Sequence, residues 1–361
     1  MNILMDIAHP AHLHLLRNTY FQLKENGHNL FVTVKEIPAA IELLKKYNIP
    51  YIYLGGKKDS LLGKAILQLN YNFKIWKLVI SKRIDIGFCS SMTIAHISKI
   101  SKMKSIILDD DDDDVEPLFV KYAHPYVDVI LSPQGTQRKS KRTIFYNGYH
   151  ELAYLHPNRF TPDENVLSEI GVKKGEIYFV LRFNAFKAHH DVGIQGLSIE
   201  NKRKLIALLQ TKGKVFITTE RNIDDEFKKY QLLLPPEKVH SLIYYAAMFI
   251  GDSQTMTSEA AVLGTPAIRC NTFVGKITYL KEEEEKYDLT YGFLPTESKK
   301  MFDKINKLLQ LINTKDTWQE KREKLLNDKI DVTAFYVWFI ENYPESEKIM
   351  KERPNYQYKF K

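Results

Sequence analysis

The stretch IGDSQTMTSEAAVLGTPAIRC, Ile250–Cys270, decides the fold class. An apolar run, MFIG (Met248–Gly251), stops at a glycine. A knot of small polar residues follows. An Ala-rich helical segment then runs to Gly264 and Pro266, and PAIRC returns as a strand. Strand, polar turn, helix and strand in quick succession build a parallel sheet with covering helices. In such sheets ligands bind beyond the carboxyl ends of the strands, and Gly251–Thr255 sits at such an end. Thr255 or a neighbour is placed to cap the helix. The first-turn amides have no partner within a helix, and its dipole adds partial positive charge. A phosphate or diphosphate fits there without a lysine. Glu259, one turn in, is poor for phosphate and good for the vicinal hydroxyls of a ribose. Together these features point to a nucleotide diphosphate, although an ordinary capped connection between helix and strand uses the same residues.

Outward from this stretch the same alternation fills the chain. NILMDIA (Asn2–Ala8), HNLFVTV (His28–Val34), PYIYLG, DIGFCS (Asp85–Ser90), KSIILDD (Lys104–Asp110) and VDVILS (Val127–Ser132) read as strands. Helices separate them; in the first, Leu13, Leu16, Tyr20 and Leu23 share one face at spacings of three and four. Between about Thr143 and Gly175 the rhythm breaks, as at a crossing between domains. EIYFVLRF (Glu176–Phe183) and KVFITTE (Lys214–Glu220) then restart it. No fixed-period repeat is visible. The expected architecture is α/β: two doubly wound Rossmann-type domains with an interdomain cleft. The boundaries are 1–155, a linker at 156–175, 176–325, and C-terminal helices at 326–361 that pack back on the N-terminal domain.

Bulk properties agree. A chain of 361 residues is too long for one ordinary core. It is 44% hydrophobic and 27% charged, which excludes a disordered chain. The formal net charge of +8 suits an anionic ligand without choosing one. No stripe of interleaved basic and aromatic residues supports nucleic-acid binding. Two cysteines far apart, Cys89 and Cys270, make neither a disulfide framework nor a zinc pattern and fit a reducing compartment. The N-terminus lacks the basic start and apolar core of a signal peptide. The longest apolar run, around Leu242–Ile250, is too short to span a bilayer. The expectation is a cytoplasmic protein. The aromatic and basic tail NYQYKFK (Asn355–Lys361) leaves a peripheral contact with the inner face of the membrane open, against a frayed terminus.

Three polar clusters are candidates for chemistry. In DIAHPAHLHLL, Asp6 ends the first strand, His9 and His12 follow in the turn, and Pro10 fits the first helical position. A histidine there suits deprotonation of a hydroxyl or of water; helix-end histidines bonded to backbone are the plainer alternative. In AHHD, Asp191 can orient His189 or His190, and no third metal ligand is identifiable, so no metal is assigned. LDDDDDD (Leu108–Asp114) begins at a strand's carboxyl end. Asp109 or Asp110 can therefore act as a base or bind an acceptor hydroxyl, and the rest of the run reads as solvated.

Four segments carry a family likeness: DIAHPAHLHLLRN (Asp6–Asn18), GYHELAYLHPNRFTPD (Gly148–Asp163), LRFNAFKAHHD (Leu181–Asp191) and GDSQTMTSEAAVLGTPAIR (Gly251–Arg269). As a set they resemble the DUF354 family, which is grouped with GT-B-fold proteins such as UDP-N-acetylglucosamine 2-epimerases and the lipid-II-forming N-acetylglucosaminyltransferases. The resemblance implies a nucleotide-sugar-dependent, metal-independent glycosyltransferase of surface polysaccharide or glycoconjugate biosynthesis. The alternatives on the same fold are a UDP-sugar 2-epimerase or hydrolase, and a non-catalytic nucleotide-sugar binding protein. The donor, UDP-linked by analogy, is a substrate rather than a cofactor, and no cofactor is implied. A saccharide or lipid-linked saccharide would be the acceptor. Ser253, Gln254 and Thr255 would meet the diphosphate, and Glu259 the ribose. Arg182, His189, His190 and Glu220 would complete the donor side. His9, His12, Asp109 and Asp110 would form the catalytic side.

Overall fold

A computed structural model describes residues 1–56, 61–183, 196–219, 223–312 and 314–361. The chain divides into two compact units, one formed by Met1–Arg159 with Lys329–Lys361, the other by Phe160–Asp328.

The first unit holds seven strands: β1 (Asn2–Ile7), β2 (Asn29–Lys35), β3 (Ile52–Gly55), β4 (Ile86–Cys89), β5 (Lys104–Leu108), β6 (Val129–Pro133) and β7 (Thr143–Tyr146). They form one parallel sheet in the order β3-β2-β1-β4-β5-β6-β7. The central strands are apolar on both faces, because helices cover both sides. Ile3, Leu4, Met5 and Ile7 of β1 and Ile106, Ile107 and Leu108 of β5 are buried. The strand order reverses between β1 and β4, so the carboxyl ends of those two strands open the crevice where such a sheet takes its ligand.

The second unit holds β8 (Tyr178–Arg182), β9 (Lys214–Thr218), β10 (Met248–Gly251), β11 (Ala267–Cys270) and β12 (Thr290–Phe293). They form a parallel sheet in the order β12-β11-β10-β8-β9. Here the order reverses between β8 and β10. Gly251 ends β10 opposite Arg182 at the end of β8, which puts the small-residue turn at the switch point. Gly264 ends the helix Gln254–Leu263 with φ +69°, the left-handed cap that a glycine supplies without strain.

Two local expectations need correction. Thr143–Tyr146, read as the start of a crossing, is the edge strand β7. The short run TIFY, without turn residues on its near side, hides its pairing with β6. The tail is not frayed: Pro354–Phe360 is a 3-10 helix that turns Tyr356 and Phe360 inward and leaves Tyr358 exposed. Phe360 packs on Phe335 and Trp338, Asn147 N donates to Gln357 Oε1 at 2.6 Å, and Asp331 N donates to the Phe360 carbonyl at 2.7 Å. The helix Val332–Glu341 packs on the helices Pro10–Glu25 and Leu152–Leu155. Asp331 caps it through Ala334 N and pairs with Arg159 at 2.8 Å.

Candidate functional site

In the second unit the turn after β10 is built by close approach. A side chain at Gly251 would put its Cβ 2.6 Å from the Arg182 carbonyl oxygen, so only glycine lets β8 and β10 run together to this point. Asp252 N donates to that same carbonyl at 3.2 Å, and Asn271 Nδ2 donates to the Asp252 carbonyl at 2.8 Å. The turn is thus held from both neighbouring strands. Ser253, rather than Thr255, is the N-cap; its Oγ accepts from Met256 N at 3.3 Å. Gln254 and Thr255 occupy the first two helical positions, where amides have no acceptor within the helix. Their side chains are half-buried, as is that of Ser253. Amides so placed are able to take an anion.

Glu259 lies differently. It is only 5% exposed and accepts from His240 Nε2 at 2.9 Å, where an open carboxylate facing the turn was the expectation. The helix Gln254–Leu263 is buried from Met256 onward, which carries Glu259 inside. His240 was not singled out by sequence reading; it sits in VHSLIYYAAM, whose apolar spacing reads as ordinary core. Arg182, at the end of β8, is half-buried. His189, His190 and Glu220 lie outside the described residues.

In the first unit, the turn after β1 gathers the histidines. Asp6 is fully buried between hydroxyls, with Thr33 Oγ1 donating at 2.7 Å and Ser91 Oγ at 2.6 Å. It ties β1 to β2 and to the turn after β4, a structural task. His9 is the exposed N-cap of the helix Pro10–Glu25, its Nδ1 accepting from Ala11 N at 3.2 Å. His12 Nδ1 accepts from Ala8 N at 3.4 Å, which assigns the ring proton to Nε2. Burial, then the nearby His9 and His150, push the His12 pKa down to about 3. The ring is therefore neutral at physiological pH, a hydrogen-bond donor through Nε2 and a weak base.

The acidic run divides. Asp109 is buried: His124 Nε2 donates to its Oδ2 at 2.8 Å, and Arg138 Nη2 lies 2.5 Å from its Oδ1. Arg138 Nη1 also donates to Asp113 at 3.0 Å. Burial alone would lower the Arg138 pKa, but Asp109 and Asp113 outweigh it and hold the guanidinium charged. Asp112 and Asp113 also accept from the backbone amides of Gln137 and Lys139, at 2.6 and 2.8 Å. The expected solvated run is thus mostly a buried ion network; only Asp114 stands fully in solvent. Like charges pack there because Arg138, His124 and two amides face them, partners too distant in sequence for the run to announce.

Asp110 is different. Its Oδ2 lies 3.1 Å from His150 Nδ1. Burial would raise the Asp110 pKa, but the His150 imidazole outweighs it and the carboxyl is held below its usual range. The next residue goes the other way: burial first, then Asp110, Glu116 and Asp109, push Asp111 well above its ordinary value. Neighbouring carboxyls driven apart can hold different protonation states at one pH. His150 Nε2 is buried with no hydrogen-bond partner among the described residues. A carboxylate paired with an imidazole whose second nitrogen has no protein partner among the described residues is an arrangement suited to a general base. Asp110 and His150 both act on the charge state of His12, so the three residues form one cluster. His150 sits inside the family-like segment Gly148–Asp163 but was not singled out there, since a single histidine beside two tyrosines has no period or spacing that marks it.

Among the described residues no group of His, Cys, Asp and Glu could hold a metal ion, and no helix is long and apolar enough to cross a membrane.

The comparisons with known proteins agree with this architecture. An uncharacterized protein of Methanocaldococcus jannaschii is 19% identical over 306 residues, covering 79% of this chain and 86% of its own length. A solved UDP-N-acetylglucosamine 2-epimerase superposes with a TM-score of 0.64 at 12% identity, covering 90% of this chain and 94% of that one. MurG of Acinetobacter baumannii superposes with a TM-score of 0.60 at 12% identity, covering 94% and 99%. At such identities the likeness establishes the GT-B fold. Residues 1–338 match the family described as "Protein of unknown function (DUF354)". The chain belongs to the DUF354 family.

Proposed function

We propose that the protein is a nucleotide-sugar-dependent glycosyltransferase serving surface polysaccharide or glycoconjugate synthesis. The observation that carries this reading is the Asp110–His150 pair, with a buried, unpartnered Nε2 at the ligand end of the first sheet. The helix start at Gly251–Thr255 supplies the donor site. In this reading the amides of Gln254 and Thr255 and the Arg182 guanidinium hold the diphosphate of a UDP-type donor. Glu259, oriented by His240, accepts from ribose hydroxyls. The acceptor saccharide hydroxyl gives its proton to His150 Nε2 as its oxygen attacks the anomeric carbon. The bond from that carbon to the diphosphate breaks, and the diphosphate leaves with the electron pair. Asp110 stabilises the resulting imidazolium. His12, neutral, donates from Nε2 to a saccharide oxygen. No step requires a metal or a resident cofactor.

A second reading, 2-epimerisation or hydrolysis of the same donor, draws on the crowding of His9, His12 and His150, where one imidazole can give a proton while another takes one. The test is incubation with a panel of nucleoside diphosphate sugars, with and without saccharide acceptors, followed by NMR. Acceptor-dependent release of nucleoside diphosphate supports transfer. Release into water alone, or an inverted C2 centre, supports the second reading. No change with any donor would sink both.

A further inference from the structure

We propose that the helix Leu61–Lys82 and its neighbours form a docking face for an anionic lipid surface. This helix carries Ile66, Leu69, Phe73, Trp76 and Ile80 at alternating spacings of three and four, one continuous stripe. A buried helix face would show that stripe covered. Here the five side chains are 55, 69, 55, 36 and 53% exposed. The opposite face, with Tyr71, Ile75 and Val79, is the one that enters the core. Exposed apolar surface of this extent on one element marks an interaction site.

The stripe continues into a shallow hollow of about 470 Å³, where Phe73 and Trp76 meet Ile100 and Tyr126. The Phe73 and Trp76 rings stack at 6.1 Å. Lys77 lies 5.3 Å above the Phe73 ring, its stem along the apolar face and its charge outward. The charge around the stripe names the occupant. Residues 61–105 hold eight Lys or Arg and one acid, Asp85, a net of +7 against +8 for the whole chain. Asp128, which adjoins this segment, is already paired with Lys99 and Lys104 at 3.7 and 3.5 Å. A second copy of the chain fits poorly, because a twofold contact sets each basic rim against itself. An anionic bilayer complements both features at once: the aromatic and aliphatic stripe enters the headgroup boundary and the lysines meet phosphates. The tail Asn355–Lys361, whose Tyr356 and Phe360 rings pack on Trp338, does not belong to this face.

The test is flotation of the full chain with phosphatidylcholine vesicles containing about 30% phosphatidylglycerol, against pure phosphatidylcholine. The expected result is binding to the anionic vesicles alone, weakened by salt, with a blue shift of Trp76 emission. Lys77→Gln and Lys82→Gln should each lower the partition coefficient about fivefold. Phe73→Ser with Trp76→Ser should abolish it, with an unchanged circular dichroism spectrum. Leu233→Ser, at an apolar residue 85% exposed on the second unit, should change nothing. Trp76→Phe should keep the binding and lose the emission shift. Three results would overturn the proposal: no vesicle binding, equal binding to neutral vesicles, or a wild-type dimer that Phe73→Ser with Trp76→Ser dissociates. The last would assign the face to a second copy.

Discussion

Replacing Gly251 by alanine tests the turn where the donor is proposed to sit. The added Cβ would lie 2.6 Å from the Arg182 carbonyl oxygen and 3.0 Å from the Arg182 Cβ. A relaxed carbon–oxygen approach is about 3.3 Å, so β8 and β10 must part by roughly 0.7 Å. Neither side yields easily, because Gly251 and Arg182 are paired residues in the centre of the sheet. Overpacking of this kind costs about 1–3 kcal/mol. For a unit of this size that lowers the melting temperature by roughly 2–12 °C. The same displacement carries Asp252 and the Ser253 cap outward and swings the amides of Gln254 and Thr255. Loss of one charge-assisted hydrogen bond to a diphosphate costs about 1.5–3 kcal/mol, a drop in affinity of about 10- to 150-fold. Thermal unfolding combined with UDP titration reads both effects. Gly171→Ala is the control: its φ of +68° makes the substitution strained, but no atom lies within 4 Å of the new Cβ. It should lose stability and keep its affinity. If Gly251→Ala binds UDP as tightly as the wild type, the turn does not hold the diphosphate.

Three further outcomes are expected. His150→Ala and Asp110→Asn should lower donor turnover by about 10²–10⁴-fold while leaving UDP affinity within about twofold, the pattern of a lost base and its orienting carboxylate; a parallel loss of affinity in a binding titration would reassign both to donor contact. Arg138→Met leaves Asp109 and Asp113 buried without their cation and should cost about 3–5 kcal/mol in urea unfolding at neutral pH, and a loss below about 1 kcal/mol would mean that the network contributes little. His12 is held neutral in the folded chain, with a pKa of about 3 against an ordinary 6.5. Between those values the unfolded chain binds a proton that the folded chain does not, so stability falls as pH drops below about 6.5, by at most about 1.4 kcal/mol per pH unit and less because the ring is partly hydrated. His12→Gln should flatten that limb when urea unfolding is compared across the pH range; an unchanged slope would place the acid sensitivity elsewhere.

The alternation of strand and helix was legible because parallel strands buried on both faces read as unbroken apolar runs, and Asn2–Ile7 and Lys104–Leu108 show it clearly. Strand order was not legible, since it depends on pairings such as β1 with β4 across some eighty residues. The switch points, which select Gly251 and the turn after β1 from all the loops, therefore emerged only with the sheets. Short edge strands, Thr143–Tyr146 and Thr290–Phe293, offer too few residues for a period. At the candidate sites the sequence singled out individual residues and missed the partners that stand beside them. Asp110 was identifiable, but its histidine stands forty positions away. Asp109 looked equivalent to Asp110 until Arg138 and His124 claimed it. Glu259 looked open because helix periodicity places it above the turn but does not reveal its hydrogen bond with His240.

Calorimetric titration of the full chain with UDP, GDP and ADP asks whether a nucleoside diphosphate docks on the amides following β10. Saturable binding of UDP should survive His150→Ala and weaken in Gly251→Ala. The absence of heat with every nucleotide, or binding indifferent to Gly251→Ala, would contradict that docking.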